Sequence, residues 1–238
     1  MKKIPFYFIF LSIICSCFFS CEDETGPDTD FFKDQRDGQI YNTVQIGEQT
    51  WMAENLRYLP HVAASDTGSY SIPLCYVYGY NGTNVTEAKT MPNYAVYGVL
   101  YNWPAAMNGD SSSISSPSGI QGVCPNGWHL PSKDEWNQLI DFAGGSVEAG
   151  KKLKEAGTTH WYSESFDVTN ETGFTALPGG FRGENGMTGN LDCDGLWWSA
   201  TESSPDHASS VLMTHNLNDV YSLNFNKEMG FSVRCVRD

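Results

Sequence analysis
Hydrophobic positions divide this chain into a leading apolar run, a polar stretch and a long patterned region. Ile4 to Phe19 is almost wholly apolar behind Lys2 and Lys3, and it ends at Ser20-Cys21. Residues 22–36 are acidic and polar, are marked by Gly26 and Pro27, and read as a tether. From Asp37 the pattern changes. Ile40, Asn42, Val44 and Ile46 alternate with Tyr41, Thr43 and Gln45, which predicts a strand. Gly47-Glu48 makes the turn and Thr50-Trp51-Met52 opens the return strand, so a hairpin begins the domain. Residues 60–95 hold no sustained period and carry Gly, Pro and Asn throughout; they read as loop.

Two helical patterns follow. Val99, Leu100, Trp103 and Ala106 share one face, which fits a short helix, and residues 108–122 are a Ser/Gly/Pro loop. Ser132-Lys133-Asp134-Glu135 has the form of a capping box, in which the Ser132 hydroxyl and the Glu135 carboxylate satisfy each other's backbone N–H groups. The helix it starts carries Trp136, Leu139, Ile140 and Ala143 on one face and stops at Gly144-Gly145. Lys151 to Ala156 predicts a further short helix ending at Gly157. From Phe174 onward, short strand-like runs (GFTALPGGFR, GLWWSATES, SSVLMTHN, DVYSLNF, GFSVRCVRD) are separated by Gly, Asn and Asp. Strands, then two or three short helices and long loops, then strands again predict an α+β domain with short antiparallel sheets over residues 37–238.

Composition narrows the function. Charged residues are 18% of the chain and aromatic residues 13%, so a large core is available. Lys and Arg number 14 against 28 Asp and Glu, a balance that argues against the basic face needed to neutralise nucleic-acid phosphates. The leading run has the make-up of a secretory signal over residues 1–20. Its end, Phe18-Phe19-Ser20-Cys21, is similar to a bacterial lipobox, with Cys21 as the lipid-modified residue; Ile14-Cys15-Ser16-Cys17 offers Cys17 as a rival. Glu22-Asp23-Glu24, directly after Cys21, resembles the surface-export signal of Bacteroidetes lipoproteins. No second apolar run reaches the roughly 18 residues of a membrane span. The lipid is therefore the expected membrane anchor, and the outer membrane, facing outward, the expected location.

Candidate chemistry is sparse. Glu135 reads as a helix cap rather than a catalytic carboxylate, and His129, between Trp128 and Leu130, as a hydrogen-bonded core residue. His61, His160, His207 and His215 show no zinc spacing. In GNLDCDG, Asn190, Asp192 and Asp194 place oxygens at alternate positions before a glycine but lack the closing Glu of a calcium loop, so Asp192 and Asp194 are the candidates for calcium. Trp197 and Trp198, adjacent in a strand, should point to opposite faces. The outward one could serve as a stacking platform for a sugar, beside Asn185, Asn190, Asp192 and Asp194 of the 183–195 loop. Cys75, Cys124, Cys193 and Cys235 remain once the signal is removed and Cys21 lipidated, an even number that suits disulfides in an exported chain.

In order along the chain, the blocks DGQ, TWMAENLRY, LYNW, CPNGWHLPS, ALPGGFR, LWWSAT and GFSVRCVRD resemble the Fibrobacter succinogenes major paralogous domain from Asp37 to Asp238. The resemblance implies an extracellular domain of C-type-lectin-like topology without established activity. That fold class also holds the formylglycine-generating enzymes, whose helix and terminal strand look similar to HLPSKDEW and GFSVRC, but a shared fold does not carry function across. The implied topology favours a Cys124–Cys235 bond and leaves Cys75 and Cys193 as the second expected pair. The expectation is a non-catalytic, lectin-like module that binds a glycan or a partner protein through the loops at 60–95, 108–122 and 183–195. Competing readings are a structural subunit of a surface assembly and an enzyme of the formylglycine-generating type, which would need two nearby thiols or a metal site.

Overall fold
The computed structural model of the chain describes residues 1–2, 29–162 and 167–238. Apart from Met1 and Lys2, the expected signal, Cys21 and the first part of the expected tether lie outside the described residues. The described strands are β1 (Thr29–Lys33), β2 (Ile40–Ile46), β3 (Gln49–Met52), β4 (Cys75–Tyr76), β5 (Leu100–Tyr101), β6 (Trp128–His129), β7 (Phe181–Arg182), β8 (Thr188–Gly189), β9 (Asp194–Ser204), β10 (His207–Thr214), β11 (Val220–Asn226) and β12 (Val236–Arg237). The helices are α1 (Val85–Ala88), α2 (Pro92–Tyr97), α3 (Trp103–Met107), α4 (Lys133–Phe142) and α5 (Ala149–Leu153). This is an α+β arrangement of short helices and antiparallel sheets.

The predicted hairpin forms as β2 and β3, with Val44 opposite Trp51 and Gly47 at positive φ in the turn. It sits in a five-stranded sheet of order β1-β2-β3-β12-β6, so the last strand lies between the opening hairpin and the strand that precedes α4. Val236 pairs with both Trp51 and His129. At one end of this sheet, residues ahead of Asp37 take part in the fold. Thr29–Lys33 pairs with β2, Phe32 packs on Trp128 at 5.3 Å between ring centroids, and Asp34 is fully buried against Arg36 at 2.7 Å. Two adjacent phenylalanines in an acidic stretch are too short a signal to show a period.

The other large sheet has the order β11-β10-β9. Two apolar clusters flank β9: Trp198 belongs to one with Tyr41, Met52 and Phe231, and Trp197 to the other with Val44, Trp51 and Trp136. The α4 capping box is closed, with Glu135 N–H donating to Ser132 Oγ at 3.2 Å and Ser132 N–H to Glu135 Oε2 at 2.9 Å. Trp136, Leu139, Ile140 and Ala143 are buried as the periodicity requires.

Two expectations shift. Leu100 is in strand β5 rather than a helix, because Asn102 caps α3 by accepting from Ala105 N–H and the helix begins only at Trp103. The 60–95 segment contains β4, α1 and α2, elements of two to six residues that are too brief for periodicity to reveal. Cys124 and Cys235 are bonded, with Cα atoms 6.0 Å apart across 111 residues of chain. Closing a loop of that length stabilises the fold by roughly 4.7 kcal/mol in the chain-entropy account. Near it, fully buried Arg234 donates to the carbonyls of Phe174 and Thr175 and to Asn55 Oδ1. Burial pulls its guanidinium down to about 9, although the charge of Glu54 opposes the shift.

Candidate functional site
The 183–195 loop does not form the expected site. Trp197 and Trp198 do point to opposite faces, but both are fully buried, so neither is a platform. Their indole N–H groups are also spent, Trp197 on Asn55 Oδ1 at 2.8 Å and Trp198 on the Tyr101 carbonyl at 2.8 Å. Opposite directions from a strand mean opposite environments only when one face meets solvent, and here each face meets a core. The loop's polar groups have partners within the chain. Asn185 accepts from Met187 N–H, Asn190 donates to Asp194 Oδ2 at 2.5 Å, and Asp192 accepts from the Tyr97 hydroxyl at 2.7 Å. Burial, and then this bond to Asp192, push the Tyr97 phenol well above its usual value. Asp192 and Asp194 are thus turned to different partners, and among the described residues no group of three or more His, Cys, Asp or Glu side chains is placed to hold a metal ion.

The second expected disulfide is also absent. Cys75 and Cys193 are both free. Cys75 lies on β4 opposite Tyr101 inside the core, whereas Cys193 sits in a turn with its N–H bonded to Asn190 and its carbonyl to His215 N–H. Burial raises the Cys75 thiol to about 12, so at neutral pH it is not a nucleophilic thiolate. Among the described residues, Cys235 is bonded to Cys124, and the two free thiols, Cys75 and Cys193, are on separate elements.

What the fold does assemble is a pair of cavities that share Pro73 as a lining residue. One, of about 390 Å³, is lined by Arg36, Tyr58, Pro60, His61, Cys75, Ala105, Asn108 and Val123 besides Pro73. The other, of about 200 Å³, is lined by Tyr70, Ser71, Trp103, Pro104, Met107, Gly109 and Asp110 with the same proline. Three segments build most of this groove, and Arg36 and Val123 complete its wall. Leu59 and Val62 anchor the first in the core around Tyr58–His61. Asn102 fixes the second by donating to the carbonyls of Ser69 and Ile72 and accepting from Leu74 N–H. The third is α3 and its left-handed exit at Asn108.

The side chains of the groove are held as firmly as its backbone. Arg36 stacks on the Tyr58 ring at 3.8 Å, is bonded to Asp34, and donates to the Val123 carbonyl at 2.8 Å. His61 Nε2 is 3.0 Å from the Pro73 carbonyl. Trp103 donates to Ser199 O at 2.9 Å with the Lys227 ammonium 4.5 Å from its ring, and Tyr70, 46% exposed, accepts from Asn226 at 2.7 Å. Aromatic rings, prolines and a few polar groups on a rigid frame can bind an extended polar chain by stacking and hydrogen bonding. The sequence marks 60–95 and 108–122 as loops; that Tyr70, Trp103 and Pro73 line one cavity is not legible in it, since nothing in spacing brings residues 70 and 103 together.

A separate cavity of about 320 Å³ is lined by Pro117, Gly119, Gln121, Trp128, His129 and Asp238. His129 is buried, as its apolar neighbours indicated, with Nε2 2.7 Å from Glu135 Oε1 and Nδ1 2.7 Å from Asp238 Oδ1. Glu135 therefore does more than cap α4; it also holds a histidine. Burial, the largest effect, lowers the His129 pKa, but the bond and charge of Glu135 and then those of Asp238 raise it above the ordinary histidine value.

The family model described as Fibrobacter succinogenes major domain matches residues 44–237. No curated protein matches this chain, and no solved structure does.

Proposed function
Taking as premise that this chain belongs to the Fibrobacter succinogenes major domain family, we propose that it is a non-catalytic, lectin-like binding module carried outside the cell on a lipid at Cys21. Its ligand on this reading is a glycan chain laid along the groove between Tyr58 and Asp110. The observation that carries the reading is two cavities that share Pro73 as a wall, with Tyr58, Tyr70 and Trp103 among their lining residues and Asn108, Asp110 and His61 at polar positions. Sugar rings present apolar faces that suit aromatic planes and hydroxyls that suit amide and carboxylate groups. A topology in which the last strand lies against the opening hairpin and a disulfide ties Cys235 back to Cys124 is what a lectin-like frame would use to hold such loops rigid. Calcium is not required, because Asp192 and Asp194 already have protein partners.

A glycan array probed with the full-length protein in detergent micelles, with and without a calcium chelator, tests this directly. Retention of one or more glycans is expected, unchanged by the chelator and weakened about tenfold or more by Tyr70→Ala, a loss of about 1.4 kcal/mol or more. No retained glycan, or retention indifferent to Tyr70→Ala and Asp110→Asn, would overturn the proposal.

A further inference from the structure
The groove leaves the buried histidine and its two carboxylates without a part. A neutral imidazole has one donor and one acceptor nitrogen, and an ionised carboxylate only accepts. Nε2 and Nδ1 of His129 each lie 2.7 Å from a carboxylate oxygen, so both contacts are hydrogen bonds together when both ring nitrogens are protonated. The two carboxylates are not equivalent. The Glu135 side chain is 2% exposed, and its second oxygen accepts from Ser118 N–H and Ser132 N–H. The Asp238 side chain is 61% exposed. Glu135, buried and fixed by a helix terminus, cannot give up its donor from the ring without leaving a charge in the interior uncompensated. Asp238 has water to turn to.

We infer that His129 is a proton-operated latch: doubly protonated, it holds Asp238 in the wall of the cavity between Pro117 and Trp128, and loss of the Nδ1 proton frees the Asp238 side chain and opens that cavity. Once Nδ1 is a lone pair it faces a carboxylate with nothing to share, while Nε2–H stays on Glu135. Glu135 from α4 and Asp238 beyond β12 are the charged groups that face the ring. The 117–121 loop contributes none, and Arg237 of β12 lies over the Trp128 ring at 5.1 Å instead. The direction of the His129 pKa puts the opening on the alkaline side of an ordinary histidine.

The test is a pH titration of the full-length protein by nitrogen NMR of the His129 ring, read beside amide exchange at Asp238, whose N–H donates to the Gly127 carbonyl at 3.1 Å. Both ring nitrogens should report the imidazolium form at pH 6, and the protection factor at Asp238, its exchange rate corrected for the base-catalysed rate of an open amide, should fall roughly tenfold as Nδ1 deprotonates. Asp238→Asn, which removes the charge, should lower the ring pKa and leave the protection factor at residue 238 low and independent of pH. A ring that is a single neutral tautomer at pH 6, or one that titrates with Asp238 unmoved, would overturn the latch.

Discussion
Trp197 and Trp198 obey the alternation of a strand and yet both leave the surface, because each face of β9 has its own apolar cluster. Alternation in a sequence gives directions; it does not say what lies in each direction. Replacing either tryptophan by alanine is therefore expected to cost about 3–5 kcal/mol in chemical denaturation, with no asymmetry between a core residue and a platform. His129 and Glu135 were readable as far as their local neighbours allow: an apolar run around the histidine and a capping box around the glutamate. Their junction with Asp238, 109 residues from the histidine, was not, since no local pattern links them. The raised His129 pKa also has a sign for stability. Its contribution is fully present below the unfolded value of about 6.5 and is lost as pH rises through the higher folded value. A melting-temperature profile should accordingly decline over that window, and less so in the Asp238→Asn variant.

At the scale of elements, the strongest local signals became structure where they stood: the β2–β3 hairpin, the capped α4 and the long strands β9, β10 and β11. Elements of two to six residues did not announce themselves, because a period needs several repeats to be seen. β4, α1 and α2 were hidden in what reads as loop, and GFTALPGGFR supplies only the two-residue β7. Closure of the main sheet depends on β12 slotting between β3 and β6 beside the Cys124–Cys235 bond. Non-reducing peptide mapping should recover that linked pair while Cys75 and Cys193 alkylate as free thiols. Cys124→Ala or Cys235→Ala should destabilise the domain by about 2–5 kcal/mol, and a linked Cys75–Cys193 peptide would contradict the arrangement.

The whole molecule combines an acidic composition, a disulfide-closed α+β frame and a groove on loops that the frame holds still. The proposed anchor makes its own prediction: Cys21→Ser should move the protein from the membrane fraction to the soluble fraction and abolish labelling by a fatty-acid probe. Labelling that persists would point to Cys17. The groove could not be read from the chain because its walls come from residues near 36, 58, 73, 103 and 123, which are far apart in sequence. In the loop that spacing favoured, 183–195, Asn185, Asn190 and Asp192 bond to other groups of the chain, and the tryptophans beside it are buried.

The most direct measurement is hydrogen exchange of the protein with and without a glycan retained on the array, resolved along the sequence. Protection confined to residues 58–61, 70–73 and 103–110 is the expected result. Protection at 183–195 with none at those three segments, or none anywhere on saturation, would contradict the groove as the binding site.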